Sequence, residues 1–351
     1  MTQEPLPKAA RPENLTAALR RCGVLSDGRV HEVEAETLPT LISRVMRLRL
    51  RYDGAVDAPG SVIFKGGILG RSGGLWEPGS LEVQFYNQLA GAMSVPPVPR
   101  CFEAVWEADT KDWHLLLEDL DSSHAVATPW PLPPTLAQCE QILRTLARFH
   151  AEWWDDPRLG VSVGTWPTEE AVKQLLHAAA ERFRSFVDRL GDRLSRERRE
   201  LYERYLEAAP RLRARLRSQR NLTVIHADAH VWNFLLPRGD SDDVRIFDWD
   251  SWRPGLASHD LAYMMAVHWY PDRRRRLERP LLDHYHAALV AHGVQGYDRR
   301  ALDDDYRLSV LSQILVPVWQ VAIDIPPAVW WSHLERIMLA VDDLGCRELL
   351  D

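Results

Sequence analysis

The stretch HADAHVWNFLLPRGDSDDVRIFDWD, His226 to Asp250, sets six aspartates, two histidines and an asparagine among apolar runs such as FLL and RIF. Buried charge is costly unless it is paired or holds a metal. The stretch is therefore either a surface loop or a site. Three chemistries fit it. His226, Asp228 and His230 alternate as metal ligands do on a strand or loop. Asp228 is followed five positions later by Asn233, and Asp248 follows the strand-like VRIF. That is the spacing of a phosphoryl-transfer site with a catalytic Asp, a metal-binding Asn and a second metal-binding Asp. The third reading is a polar loop whose Asp and Asn side chains satisfy turn backbone.

The bulk of the chain narrows the choice. Its 351 residues are long for one domain and suggest two lobes. Hydrophobic residues make up 46% and charged residues 26%, enough for a sizeable core and against disorder. A formal net charge of −7 argues against a nucleic-acid partner. The basic run Arg273 to Arg276 sits among acids and reads as a solvated face. Cys22, Cys101, Cys139 and Cys346 are far apart, which suggests neither a zinc ribbon nor a disulfide framework. A reduced, cytoplasmic protein is expected. MTQEPLPKAARPEN has no apolar signal core, and no apolar run is long enough for a membrane span.

Outward from the central stretch, periodicity predicts an α+β organisation. PENLTAALRRCGVL has Leu15, Leu19 and Cys22 at helical spacing. ISRVMRLRLRY, Ile42 to Tyr52, alternates like a half-buried strand with Met46, Leu48 and Leu50 facing inward. SVIFK is a short strand ending in Lys65, and GGILGRSGG reads as a flexible loop. LEVQFYNQLAGAM is a helix with Leu81, Phe85 and Leu89 on one stripe. VPPVPRCFEAVWEAD and WHLLLEDLD are two further strands. After Asp121 a Pro-rich piece leads into the long amphipathic helix LAQCEQILRTLARFHAEWW. Thr168, before two glutamates, is a helix start, and two helices are expected from there to about Leu216. Beyond Asp250 the chain reads as helical to its end. A small mixed lobe, residues 1–117, is thus expected before a large helical lobe, 118–351, with a hinge near LLLEDLD.

Phosphoryl transfer from a nucleotide needs a cation for the phosphates and an acid to hold that cation. Lys65 and Glu82 fill those places in the small lobe. Neither is specific alone. Strand Lys, helix Glu, hinge strand, HxDxxxxN and strand Asp in one order are specific together.

In that combination the chain resembles the aminoglycoside phosphotransferase and choline-kinase-like family, a branch of the protein-kinase-like fold. HADAHVWN is similar to that family's HGDLHxxN, and FDWD to its IDFD or IDWE. SVIFK, LEVQFY, LLLEDL, LARFHAEWW and SHDLAYMM have counterparts there, and the resemblance spans roughly residues 30 to 345. The EVQFY and HAEWW variants lean towards the ecdysteroid-kinase-like subgroup. The resemblance implies a bilobal kinase-like fold and an ATP- and Mg2+-dependent phosphotransferase acting on a hydroxyl of a small molecule. It implies a monomer or homodimer, with no nucleic-acid or membrane partner. It further implies that Asp228 is the catalytic base and that Asn233 and Asp248 bind magnesium. Lys65 would contact the phosphates and pair with Glu82, and backbone groups from Glu118 to Leu120 would receive the adenine. His226 would support the catalytic loop from behind, and Asp260 would hydrogen-bond it. Asp250 would help the magnesium site or cap its strand.

Two departures stand out. EAETLPTLIS, where the family often has a Gly- or Ser-rich loop, holds no glycine and contains Pro39, leaving Thr37, Thr40 and Ser43 as donors. Ala227 replaces the usual glycine of HGD, and alanine tolerates positive φ poorly. A nucleotide-binding protein of the same fold with little catalysis is the alternative. A metallohydrolase on HADAH is a third possibility, which has no use for Lys65 and Glu82. For the acceptor, PVWQVAIDIPPAVWW offers Trp319, Asp324, Trp330 and Trp331 as an aromatic and acidic wall, or as core.

Overall fold

In a computed structural model of the protein, residues 5–40, 43–54, 56–67 and 79–351 are described. The chain forms two compact units, Met1–Val126 with Leu235–Ser251, and Ala127–Phe234 with Trp252–Asp351. In chain order the elements begin with α1 (Pro12–Arg21), β1 (Val30–Leu38), β2 (Arg44–Tyr52), β3 (Ser61–Gly66), α2 (Ser80–Gln84), β4 (Cys101–Trp106), β5 (Trp113–Glu118) and β6 (His124–Val126). Next come α3 (Leu136–Glu152), α4 (Glu169–Leu190), α5 (Arg196–Leu212), α6 (Ala214–Arg217), β7 (Thr223–Ile225), β8 (Phe234–Pro237), β9 (Arg245–Ile246) and β10 (Arg253–Gly255). The remainder is α7 (Ser258–Ala262), α8 (Pro271–Ala291), α9 (Arg299–Ser312), α10 (Leu315–Ala322) and α11 (Pro327–Asp343).

The first unit is built on an antiparallel sheet of order β1-β2-β3-β5-β4. Alternation in β2 divides its side chains as expected. Met46, Leu48 and Leu50 join Leu15 and Leu19 of α1 in one buried cluster. The arginines between them point to the other face of the sheet, where Glu32, Glu34 and Glu36 of β1 stand opposite Arg51, Arg49 and Arg47. Opposite charges at cross-strand positions favour this register over its neighbours.

That pairing corrects one expectation. Glu34 to Leu38 is strand rather than loop, because its glutamates are matched one for one by β2. Thr37 lies in the ladder opposite Met46, and Thr40 donates its hydroxyl proton to the Ser43 carbonyl. Residues 41 and 42 of that turn, and most of the Gly66–Gly74 loop, lie outside the described residues. Helix α2 continues through a π-helical turn, Phe85–Leu89, with Phe85 and Leu89 buried as the stripe requires.

A smaller sheet of order β6-β8-β9 completes the first unit, with Ala125 opposite Leu236 and Val126 opposite Leu235. Here the strands are narrower than the motifs around them. Only FLLP and RI are strands. HADAH is irregular and leads into a 3-10 turn, Val231–Asn233, and Asp248 and Asp250 fall beyond the end of β9. Part of the reason is local: the N–H groups of His226 and Ala227 are taken by a buried carboxylate, described below, and are not free for a ladder.

The second unit is helical apart from the pair β7 and β10. Thr135 and Gln138 form a reciprocal capping box at the start of α3. The Thr168 hydroxyl accepts the Ala171 N–H at 3.1 Å and starts α4 at the expected place. Helix α3 packs on α8, α4 on α5 and α10, and α11 on α9 and α10. No described helix is long and apolar enough to cross a membrane.

Candidate active site

The first unit brings Lys65, Glu82 and Asp248 together. Lys65 is next to last in β3, held opposite Val45 and Leu115. Its ammonium lies 2.5 Å from Glu82 Oε2 and 2.6 Å from Asp248 Oδ1. The Lys65 and Glu82 side chains are only 11% and 1% exposed, whereas Asp248 is 41% exposed. Burial alone would lower the Lys65 pKa, but the two carboxylates outweigh it and hold the ammonium charged. Asp248 sits at φ +66, in the left-handed region that few non-glycine residues other than asparagine and aspartate enter.

The residues beside Asp248 face helix α2. Trp249 is fully buried and stacks on Phe85 with centroids 3.9 Å apart and rings 7° from parallel. Asp250 Oδ1 accepts the Gly79 N–H at 2.8 Å. Burial is the main force on the Asp250 carboxyl and pushes it up to about 7.

At the expected adenine segment, Glu118 ends β5 and its N–H is taken by the Arg100 carbonyl. The Leu120 carbonyl accepts the N–H groups of Ser123 and His124. Between them, Asp119 accepts from Arg47 Nε at 2.9 Å and from the Ser61 hydroxyl at 2.8 Å. The segment is thereby tied to β2 and β3.

The second unit holds the loop after β7. Asp260, fully buried in α7, accepts the N–H groups of His226 and Ala227 at 2.8 Å each. His150 Nε2 lies 3.2 Å from the same carboxylate, and His150 Nδ1 is 2.6 Å from the Tyr285 hydroxyl. Burial would raise the Asp260 pKa, but the His150 hydrogen bond and the neighbouring imidazoles outweigh it, so the carboxyl sits below its ordinary value. His226 is fully buried and its Nδ1 accepts the Asp228 N–H at 3.2 Å. It therefore supports the loop rather than standing as an open ligand. Among the described residues no group of three His, Cys, Asp or Glu is placed to hold a metal ion.

Asp228 is 29% exposed. Asn233 Nδ2 donates to the Asp228 carbonyl at 2.9 Å and to its Oδ2 at 3.2 Å. The Asn233 amide oxygen takes part in neither bond, and a hard cation such as Mg2+ takes that kind of atom. His230 Nε2 lies 3.7 Å from Asp228 Oδ2.

Ala227, where the resemblance implies glycine, has φ +66. A left-handed alanine costs about 1–2 kcal/mol, partly offset by the lower chain entropy of alanine when unfolded. Ala227→Gly is expected to raise unfolding stability by about 0.5–1 kcal/mol, measured in denaturant.

Sequence reading missed two features here. His150 and Tyr285 complete the support of Asp260 from positions far along the chain. His230, Trp232, Tyr263, His268 and His333 form one cluster of ring contacts, with His268 and His333 centroids 4.8 Å apart. Of the residues named for an acceptor wall, Trp330 is core, packed on Phe186 and Trp331, whereas Trp319 is partly exposed. Asp324 is exposed, 3.5 Å from Arg189.

Burial, helped by Arg336, lowers the His333 pKa to about 3, and burial with Arg253 does the same to His259. Unfolded imidazoles take a proton near pH 6.5, so the unfolded state binds more protons below that value. Stability is fully present above about 6.5 and falls as the pH drops towards 3, by about 1.4 kcal/mol per pH unit for each histidine. Asp250 titrates in the same window with the opposite sign, so the check is a difference: between pH 6 and 5, His333→Gln should lose about 1.4 kcal/mol less per pH unit than the natural protein in denaturant unfolding.

Residues 76–302 match the APH phosphotransferase enzyme family. Among curated protein sequences none matches. Solved structures share the fold at low identity. One is a Ralstonia eutropha JMP134 protein named as a candidate aminoglycoside phosphotransferase, at 14% identity and TM-score 0.58, over 96% of this chain and 97% of the other. Another is a choline/ethanolamine kinase family protein of Mesorhizobium loti, at 13% and 0.52, over 90% and 91%. A third is a choline kinase of Streptococcus pneumoniae, at 13% and 0.52, over 95% and 98%. The antiparallel sheet unit and the helical unit are those of the protein-kinase-like fold, and with a family match spanning well over half of its length the chain belongs to the APH phosphotransferase enzyme family.

Proposed function

We propose that the protein moves the γ-phosphate of ATP to a hydroxyl group of a small molecule, in the presence of Mg2+. The observation that carries this reading is the Lys65 ammonium, buried and held between Glu82 and Asp248. A hydrolase has no need of a cation kept charged in this way. A phosphoryl-transfer enzyme needs it for the nucleotide phosphates.

The roles follow from the chemistry of each group. Lys65 binds the phosphates, with Glu82 keeping it in place. The backbone of Glu118 to Leu120 receives the adenine. Asp248 would offer a carboxylate oxygen, and Asn233 an amide oxygen, to magnesium, a hard ion that takes oxygen ligands and is commonly held by only one or two protein carboxylates. When bound, the ion neutralises charge on the phosphate oxygens. Asp228 accepts the proton of the acceptor hydroxyl and orients that oxygen. Asn233, by donating to Asp228 Oδ2, fixes the carboxylate for that task. Asp260 and His150 keep the loop in its strained shape. On this reading residues 1–117 are the nucleotide-binding lobe and 118–351 carry the catalytic loop and the acceptor site. The four cysteines are free thiols, which supports a reducing, cytoplasmic setting.

The test is ADP release with Mg2+, ATP and a panel of hydroxylated metabolites and antibiotics. Release above the rate with water alone for at least one compound is expected. Tight Mg-ATP binding with no release on any compound would favour the nucleotide-binding protein with little catalysis.

A further inference from the structure

The three residues Asp248, Trp249 and Asp250 each grip a different part of one arrangement. Asp248 pairs with Lys65. Trp249 lies flat on Phe85 of the α2 helix. Asp250 holds the N–H of Gly79, the residue from which α2 starts. The Gly79 carbonyl accepts the Val83 N–H at 2.9 Å, so both polar groups of Gly79 are committed. Its φ is +83, and a Cβ there would stand 2.0 Å from the Trp113 ring. Only glycine fits, and glycine has no side chain to cap its own helix. An N–H at a helix start has no partner within the helix. Asp250 supplies one from a remote strand end. Glu82 lies three residues further on, and its carboxylate meets Lys65. The contacts therefore close a ring: Asp250 to Gly79, along α2 to Glu82, to Lys65, to Asp248, and back through Trp249.

We propose that Asp250 is a positioning residue, which sets Glu82 against Lys65 by anchoring the start of α2 through the Gly79 N–H and does not itself bind the metal. This deepens the phosphate-binding role proposed for Lys65 and rests on it for its effect on nucleotide. The local consequence does not depend on that role. If Asp250 lets go, Glu82 moves off and Lys65 loses a partner.

The test compares Asp250→Ala with Asp250→Asn. Asparagine keeps an oxygen that accepts the Gly79 N–H, and alanine does not. Two readouts are taken on the full chain. The first is acylation of Lys65 by an amine-reactive ester, followed by peptide mass spectrometry, which is simple to map because the only other lysines are Lys8, Lys111 and Lys173. The second is Mg-ATP affinity, together with the Mg2+ concentration that half-saturates binding at fixed ATP. Asp250→Ala is expected to speed Lys65 acylation and weaken Mg-ATP binding by about tenfold, the loss of one hydrogen bond. The half-saturating Mg2+ concentration should not change, and Asp250→Asn should match the natural protein in every readout. If Asp250→Asn is as damaged as Asp250→Ala and both need more Mg2+, Asp250 is a metal ligand and the proposal is wrong. If Asp250→Ala leaves Lys65 acylation unchanged, the proposal is equally wrong. A natural protein that binds no Mg-ATP overturns the proposed function, while acylation still decides the role of Asp250. Should Asp250→Ala fail to unfold cooperatively, Asp250→Ser, whose hydroxyl is too short for the bond, takes its place with the same expected results.

Discussion

Asp228→Asn should lower phosphoryl transfer by roughly 10²-fold or more, the range of general-base catalysis, and leave the affinity for Mg-ATP unchanged. The asparagine is nearly isosteric, so the loop that Asp260 holds by two amide groups keeps its shape. What the variant loses is the ability to take a proton. Initial rates and equilibrium binding, measured on one preparation, separate the two effects. The complementary variant is Asp248→Ala. It removes a proposed magnesium ligand and a partner of Lys65, so it should lose Mg-dependent ATP binding as well as turnover. If Asp228→Asn abolishes binding and Asp248→Ala spares it, the two roles are exchanged.

The second large effect is on stability. Lys65→Met removes the side chain that, among the described residues, compensates Glu82, a carboxylate with only 1% of its surface exposed. Breaking a buried ion pair from one side costs about 3–5 kcal/mol, because the charge left behind has no partner. Replacing both partners costs far less. Lys65→Met should therefore unfold at markedly lower denaturant, and the double change Lys65→Met with Glu82→Gln should recover most of that loss. Both should fail to bind Mg-ATP. Equal unfolding midpoints for the single and double variants would mean that the pair is not energetically coupled.

The parts of this molecule legible in its sequence are those that only one kind of residue can perform. Asp228, Asn233 and Asp248 stood out as candidates by polar side chains at a fixed spacing in apolar surroundings. Lys65 and Glu82 did so by their order on a strand and the following helix, and the structure brings them to 2.5 Å. The sheet was legible where apolar and polar residues alternate cleanly, as at Met46, Leu48 and Leu50. Strand β1 was not, because its inner face is weakly apolar and its outer face is a row of glutamates. Those glutamates make sense only once β2 lays its arginines opposite them.

Contacts to backbone leave even less trace. The partner of Asp250 is an amide group, present in almost every residue, and only the glycine at that spot hints at the close approach. The supports of Asp260 come from His150, 110 positions away, and no local pattern joins the two. The ring cluster of His230, His268 and His333 is likewise assembled from distant segments of the chain. The positive φ of Ala227 was legible only as a departure from the glycine that the resemblance implies.

The most direct measurement is to follow the label from ATP carrying an isotopically marked γ-phosphate, with Mg2+ and the acceptor that gives the fastest ADP release. In the natural protein the label should leave ATP and appear as a phosphate ester of the acceptor, at a rate that Asp228→Asn reduces by roughly 10²-fold. Label found only as inorganic phosphate, or ester formed equally fast by Asp228→Asn, would contradict transfer to a hydroxyl activated by Asp228.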